Sequence, residues 1–260
     1  MKIWIQALST TPEVDPAWRP YEEACHRYVP TLARPDTQIH FASTTKRAPK
    51  MVISAYVRHL HLAEVIENAI QAEKEGYDAF IIGGVGDMGY AELREVVDIP
   101  VVFIGESSYL VASQLATSFA IINSDARSLR TASSNVRKLG LGEHMVPGAH
   151  VGRGQTEHFL LMEKDPQLVI AEIKAAARVP IDEGAALLIP GTAPISVFLA
   201  EQGVREIEGV PVLDLHAAVI KCAEMQVDFR RLGIPKSQKG PALVVNKQDI
   251  LRARKIYGLS

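Results

Sequence analysis

Glu75-Gly76-Tyr77-Asp78-Ala79-Phe80-Ile81-Ile82-Gly83-Gly84 has a second copy in Glu183-Gly184-Ala185-Ala186-Leu187-Leu188-Ile189-Pro190-Gly191-Thr192, displaced by 108 positions without a gap. Each copy reads as an acidic helix end, a Gly, a short apolar run and a Gly-containing turn. Each is followed by a second cue, Asp98-Ile99-Pro100-Val101-Val102 in one half and Gly209-Val210-Pro211-Val212-Leu213 in the other. A period this long is not that of a solenoid. It predicts two similar lobes, each ending a strand at a turn that faces the other lobe, with Gly84 and Thr192 on the two walls of one cleft.

Outward from these copies the pattern alternates. Strands are expected over 3–7, 38–42, 79–82, 100–104, 119–122, 187–189 and 211–213. Helices are expected over 21–29, 61–75, 90–97, 109–117, 126–139, 166–181, 195–202, 215–231 and 247–257. Continuous apolar runs such as Ala79-Phe80-Ile81-Ile82 suit parallel strands covered on both faces, and 61–75 carries Leu62, Val65, Ile66, Ala69 and Ala72 at helical spacing. The expected fold is α/β: two pseudo-symmetric Rossmann-like lobes with mainly parallel sheets and a cleft between them. Residues 1–104 would form the first lobe, completed by a helix at about 214–232, and 105–213 the second. Residues 233–260 would be a C-terminal tail, and 44–57 a lid-like loop.

The chain has 260 residues, 47% apolar and 22% charged, an ordinary globular mix that buries a core without staples. A net charge of −2 and the lack of basic runs with interleaved aromatics argue against a nucleic-acid partner. No apolar stretch approaches membrane-spanning length, and the N-terminus does not read as a signal peptide. Cys25 and Cys222 are far apart and form no metal-spaced cluster, which suits a reducing compartment. A soluble cytoplasmic protein is expected.

Ligands bind beyond the carboxyl ends of parallel strands. Three turns fall there: Leu8-Ser9-Thr10-Thr11, Gly83-Gly84-Val85-Gly86-Asp87 and Gly191-Thr192-Ala193-Pro194. Their hydroxyls and backbone N–H groups would cradle a carboxylate or enolate-like oxyanion. Ser9, Thr10, Gly84, Val85, Gly86, Gly191 and Ala193 are the binding candidates. Gly84-x-Gly86-x-x-Gly89 matches a dinucleotide fingerprint in form, but no acidic residue ends a following strand about 20 residues on, so a nicotinamide site is not expected. Asp87 is a general base or the cap of the next helix. Glu106 is a cleft carboxylate or a helix-entry charge. His216 is an acid–base group or a structural histidine.

These motifs resemble the Asp/Glu/hydantoin racemase superfamily, its hydantoin and allantoin racemase branch above all. Gly83-Gly84-Val85-Gly86-Asp87-Met88-Gly89 is similar to that branch's Ala-Cys-Phe-Gly-Asp-Pro-Gly. Pro190-Gly191-Thr192-Ala193-Pro194 is similar to its Leu-Gly-Cys-Ala-Gly, and Pro100-Val101-Val102-Phe103-Ile104-Gly105-Glu106 to its Pro-Val-Val-Gly-Ile-Gly-Glu. Gln6-Ala7-Leu8-Ser9-Thr10 loosely matches its N-terminal Asn-Pro-Asn-Thr-Ser, which adds Gln6 to the binding candidates.

The resemblance implies a small carboxylate or cyclic amide as ligand, no metal or organic cofactor, and a homo-oligomer. It also places one catalytic cysteine on each wall, working through a lowered thiol pKa. Here those positions are Gly84 and Thr192, or Gly191 if the turn shifts by one. Two-cysteine racemisation is therefore not expected, and the missing first thiol would leave room for a water or a larger substrate. Three readings follow. One is hydrolysis, decarboxylation or isomerisation with Thr192 as nucleophile or donor and His216, Asp87 or Glu106 as base. Another is racemisation by a non-cysteine pair, and the third is ligand binding without turnover.

Overall fold

Apolar strands and amphipathic helices alternate along the chain and sort into two parallel sheets. The structure is a computed structural model that describes residues 1–46, 54–237 and 247–259. It opens with β1 (Lys2–Thr10), α1 (Arg19–Tyr28), β2 (Gln38–Thr44), α2 (Ala55–Lys74), β3 (Ala79–Ile82), α3 (Tyr90–Val96) and β4 (Val101–Phe103). α4 (Ile104–Leu115), β5 (Ala120–Asn123), α5 (Ala126–Lys138), β6 (Ala149–His150), α6 (Gln155–Lys164), α7 (Pro166–Asp182), β7 (Leu188–Pro190) and α8 (Ala193–Glu201) follow. The chain closes with β8 (Glu206–Ile207), β9 (Val210–Pro211), α9 (Leu215–Arg231) and α10 (Lys247–Ile256).

The first sheet has the order β2-β1-β3-β4 and the second β6-β5-β7, every pairing parallel. The two copies of the repeated passage therefore occupy like places. β3 lies beside β1 as β7 lies beside β5, and each leads into a turn at its carboxyl end. Residues 79–82 and 120–123 are buried throughout, as strands covered on both faces must be. Each large apolar side chain fully buried there contributes about 1.5–3 kcal/mol. One core cluster runs through both lobes, from Ile3, Ile5 and Ile81 to Ile121, Ile189 and Val219. α9 packs on β3, β4, α4 and α8.

Some expectations are corrected. β1 does not stop at residue 7: it runs to Thr10, with its register against β2 shifting between Gln6 and Thr10. The cause is polar pairing, Thr11 N–H donating to Thr44 O and the Thr44 hydroxyl to Ser9 O. α4 begins at residue 104 rather than 109, directly at the end of β4. α2 begins at Ala55, where Ser54 accepts the Val57 N–H; Tyr56 and Leu60 in its first turns are exposed, which hides the helical period. Of the expected 44–57 loop, 47–53 lie outside the described residues. The second proline cue is not a parallel strand like the first. Its residues form the antiparallel β8–β9 hairpin, and only Val212 bridges to Leu188. Between the expected helices over 126–139 and 166–181, where the pattern assigns no element, the structure has β6 and α6. In the tail, α10 docks on α2 through Arg254 and Glu67, at 2.6 and 2.7 Å.

Candidate functional site

A cavity of about 310 Å³ opens between the two sheets at their carboxyl ends. The first lobe supplies Leu8 and Ser9 from β1, the Gly83–Gly86 turn, and Trp18 and Tyr21. The second supplies Arg127, Ser128 and Thr131 from α5 and Gly191–Pro194 from the turn after β7. Of the binding candidates, Ser9, Gly84, Val85, Gly86, Gly191 and Ala193 line it, and so does Thr192.

Gln6 and Thr10 do not line it. Gln6 is wholly buried, its amide donating to Ala7 O and Ala42 O and its oxygen accepting from Trp4 Nε1 and Asn68 Nδ2. Thr10 is buried where β1 meets β2. The Gln6 amide ties β1 to β2 and α2, whereas the Thr10 hydroxyl is buried with no hydrogen-bond partner among the described residues.

Three of the four catalytic candidates are also elsewhere. Asp87, in the left-handed region with φ 45°, accepts the N–H of Gly105 at 2.9 Å and of Glu106 at 2.7 Å. It caps α4 and not α3, the next helix. Burial pushes its carboxyl up to about 7, against those two bonds, which favour the ionised form. Glu106 is paired with Arg94 at 2.6 Å, and the Arg94 guanidinium lies 3.9 Å over the Tyr90 ring. Burial pushes Glu106 up to about 7 in spite of that pair.

His216 is 1% exposed in the first turn of α9, its Nε2 4.0 Å from Cys25 Sγ and its Nδ1 without a partner among the described residues. Burial drives the imidazole to about 4 and the Cys25 thiol to about 12, so the two stay neutral. Neither Cys25 nor Cys222 lines the cavity.

The space expected beside Gly84 is filled. A Cβ on Gly84 would stand 2.2 Å from Leu8 Cδ1 and 2.8 Å from its Cγ, so only glycine lets Leu8 lie across this turn. On the opposite wall a Cβ on Gly191 would stand 2.3 Å from Asn123 Nδ2, and Asn123 donates to Gly191 O. In both lobes the strand beside the repeated passage lays a side chain over its turn. Thr192 is the N-cap of α8: its hydroxyl oxygen accepts Ile195 N–H at 3.2 Å. The hydroxyl proton is not used in this cap, and Thr192 lines the cavity.

One acid–base connection was not read from the sequence. Ser9 Oγ lies 3.4 Å from Ser43 Oγ, and Ser43 Oγ donates to Glu22 Oε2 at 3.3 Å. A residue that lines the cavity is thus joined, through its own hydroxyl and a second one, to a carboxylate on α1. Register could have hinted at it, because Ser9 and Ser43 end adjacent strands. Glu22 arrives from a helix no strand pattern places. Arg58 and Arg127 give the cavity its positive charge, and Trp18, which packs edge-on to Phe159 of α6, closes one side.

Comparison with known proteins bears on what such a cavity holds. Residues 19–223 match the model of the family described as Asp/Glu/Hydantoin racemase. A hydantoin racemase from Pseudomonas sp. (strain NS671) is 34% identical over 200 residues, covering 76% of this chain and 78% of that one. Another from Paenarthrobacter aurescens is 28% identical over 188 residues, 72% and 77% of the two chains. Among solved structures, allantoin racemase from Klebsiella pneumoniae superposes with a TM-score of 0.75 at 23% identity, over 92% of this chain and 91% of that one. A glutamate racemase from Bacillus anthracis does so at 0.60 and 16%, over 89% and 82%. The structural likenesses show a shared two-lobe α/β fold.

Proposed function

The chain belongs to the Asp/Glu/hydantoin racemase family, and from that premise we propose that it is a hydantoin racemase-like isomerase that works without thiols. It holds a small cyclic amide or related carboxylate between its lobes and exchanges the proton on the carbon beside the ligand's carbonyl. The observation that carries this reading is the Ser9–Ser43–Glu22 relay at a cavity that no cysteine lines.

A serine hydroxyl alone is too weak a base. Joined to a carboxylate it passes its own proton on as it takes one up. The proton leaves the substrate carbon for Ser9, Ser9 passes its proton to Ser43, and Ser43 passes its proton to Glu22. The carbonyl becomes an enolate. Its oxygen is met by the Thr192 hydroxyl and the N-terminal end of α8, with Arg58 and Arg127 adding positive charge. A solvent proton delivered to the other face gives the opposite configuration. Glu22, 18% exposed and beside His26, returns its proton to water.

The test is incubation of single-enantiomer hydantoins in deuterated water. The expected result is deuterium at the ring carbon of recovered substrate together with loss of optical activity. Substrate loss without deuterium would favour hydrolysis or decarboxylation. Saturable binding with neither change would favour a ligand-holding protein, a reading to which the filled spaces at Gly84 and Gly191 lend support.

A further inference from the structure

Next to the cleft lies a second chamber of about 380 Å³ with a different character. It shares Arg58, Gly86, Arg127 and Thr131 with the first cavity, so the two adjoin. Beyond them it is lined by Arg130, Ser134, Asn135 and Lys138. We propose that this chamber is an anion-binding subsite that receives a carboxylate borne on the side chain of the cleft ligand. The proposal rests on the reading of the cleft as the substrate site.

Three of the cations come from one helix. Arg127, Arg130 and Lys138 recur along the face of α5 that Ser134 and Asn135 also occupy, as a period of 3.6 residues arranges them. Arg58 closes on them from the first turns of α2. Among the described residues, none of these four side chains is in an ion pair, and no carboxylate lines the chamber. Asp125, which feels the charge of Arg127, is occupied in capping α5, accepting from Arg127 N, Ser128 N and Ser128 Oγ.

A solvated basic helix face is the ordinary explanation of such a run, but these four side chains line one concavity, and several arginines elsewhere in the chain are matched. Arg153 meets Glu157 and Glu172, and Arg34 meets Glu224 and Asp228. In a chain of net charge −2, four unmatched cations converging on a concavity form a field that draws anions. The position selects a substituent of the cleft ligand over a separate ion. Arg58 and Arg127 line both cavities, whereas Thr192 and Ser9 line only the first and Arg130 and Lys138 only the second, so a substituent reaching out of the cleft would meet the second set by way of the shared arginines. Asn135, whose amide donates to Gly86 O at 3.3 Å, links this second-lobe helix to the first-lobe turn that both cavities share.

The test is calorimetric titration of the whole chain with two hydantoins, one carrying a carboxyethyl substituent on its stereocentre and the other the uncharged carboxamide. The carboxylate is expected to bind on the order of tenfold tighter at low salt. The preference should shrink as ionic strength rises and disappear in Arg130→Gln/Lys138→Gln, with carboxamide affinity unchanged. Equal affinities, or a preference that survives the double substitution, would overturn the subsite. Inorganic phosphate is the third probe. If it binds through Arg130 and Lys138 while the carboxylate gains nothing, the chamber is a separate anion site and the proposal falls. Deuterium exchange on the same two ligands keeps the claims apart. Charge-dependent binding without exchange upholds the subsite and removes the isomerase reading. Equal binding of both with exchange does the reverse, and failure of both ligands to bind removes both.

Discussion

Leu8 and Gly84 act as a pair, since the leucine occupies the place a larger residue at 84 would need. Gly84→Ala is expected to destabilise the chain by about 1–3 kcal/mol through overpacking. In a Leu8→Ala background the same change should cost much less, a coupling that a double-mutant cycle in urea measures. One residue further along β1, Ser9→Ala should lower proton exchange by about 10²–10⁴-fold. Ser43→Ala should lower it similarly, and the two together little further, because both break one relay.

Asp87 makes a prediction about pH. Its folded pKa is raised to about 7, above the ordinary carboxyl range, so the folded chain holds this proton longer than the unfolded chain does. Stability from this group is therefore full below about pH 4, falls as pH rises toward 7, and is flat above it. Asp87→Asn should flatten that decline, read as melting temperature against pH.

At the scale of elements, the turn after β7 carries the clearest consequence. Thr192 caps α8, and Thr192→Val should cost about 1 kcal/mol with a drop of a few degrees in melting temperature. Thr192→Ser should keep the cap. Comparing ligand affinity in the two variants separates the capping role from donation into the cleft. The repeated passage made β3, β7 and their turns legible in advance, because an apolar run bounded by glycines is a strong local signal. It also located the cleft.

The side chains that face each other across that cleft were less legible. Asp87 was readable as a cap, but which helix it caps depends on β4 bringing Gly105 beside it. His216 and Glu106 sit at strand or helix ends just as cleft residues do, yet one turns toward Cys25 and the other toward Arg94. Leu8 read as part of a polar turn because its packing partner is a glycine 76 positions away. Arg127, Ser128 and Thr131 were hidden in a helix whose polar face looks like any solvated one.

For the whole molecule, two parallel sheets with one shared core hold the repeated turns opposite each other, and the cavity exists only where the two lobes meet. A ligand bound there should stabilise both lobes together, raising the melting temperature as a single transition that grows with ligand concentration. Among the described residues, no helix is long and apolar enough to cross a membrane. The central claim is proton exchange at a carbon without a thiol, and it is tested most directly in the chain with both cysteines replaced, Cys25→Ala/Cys222→Ala. This variant, and the parent chain treated with iodoacetamide, would be incubated with single-enantiomer hydantoins in deuterated water. The account predicts deuterium in the recovered substrate at the parent rate, lost on Ser9→Ala. Exchange that disappears with the cysteines, or that never occurs while the ligand binds, would contradict it.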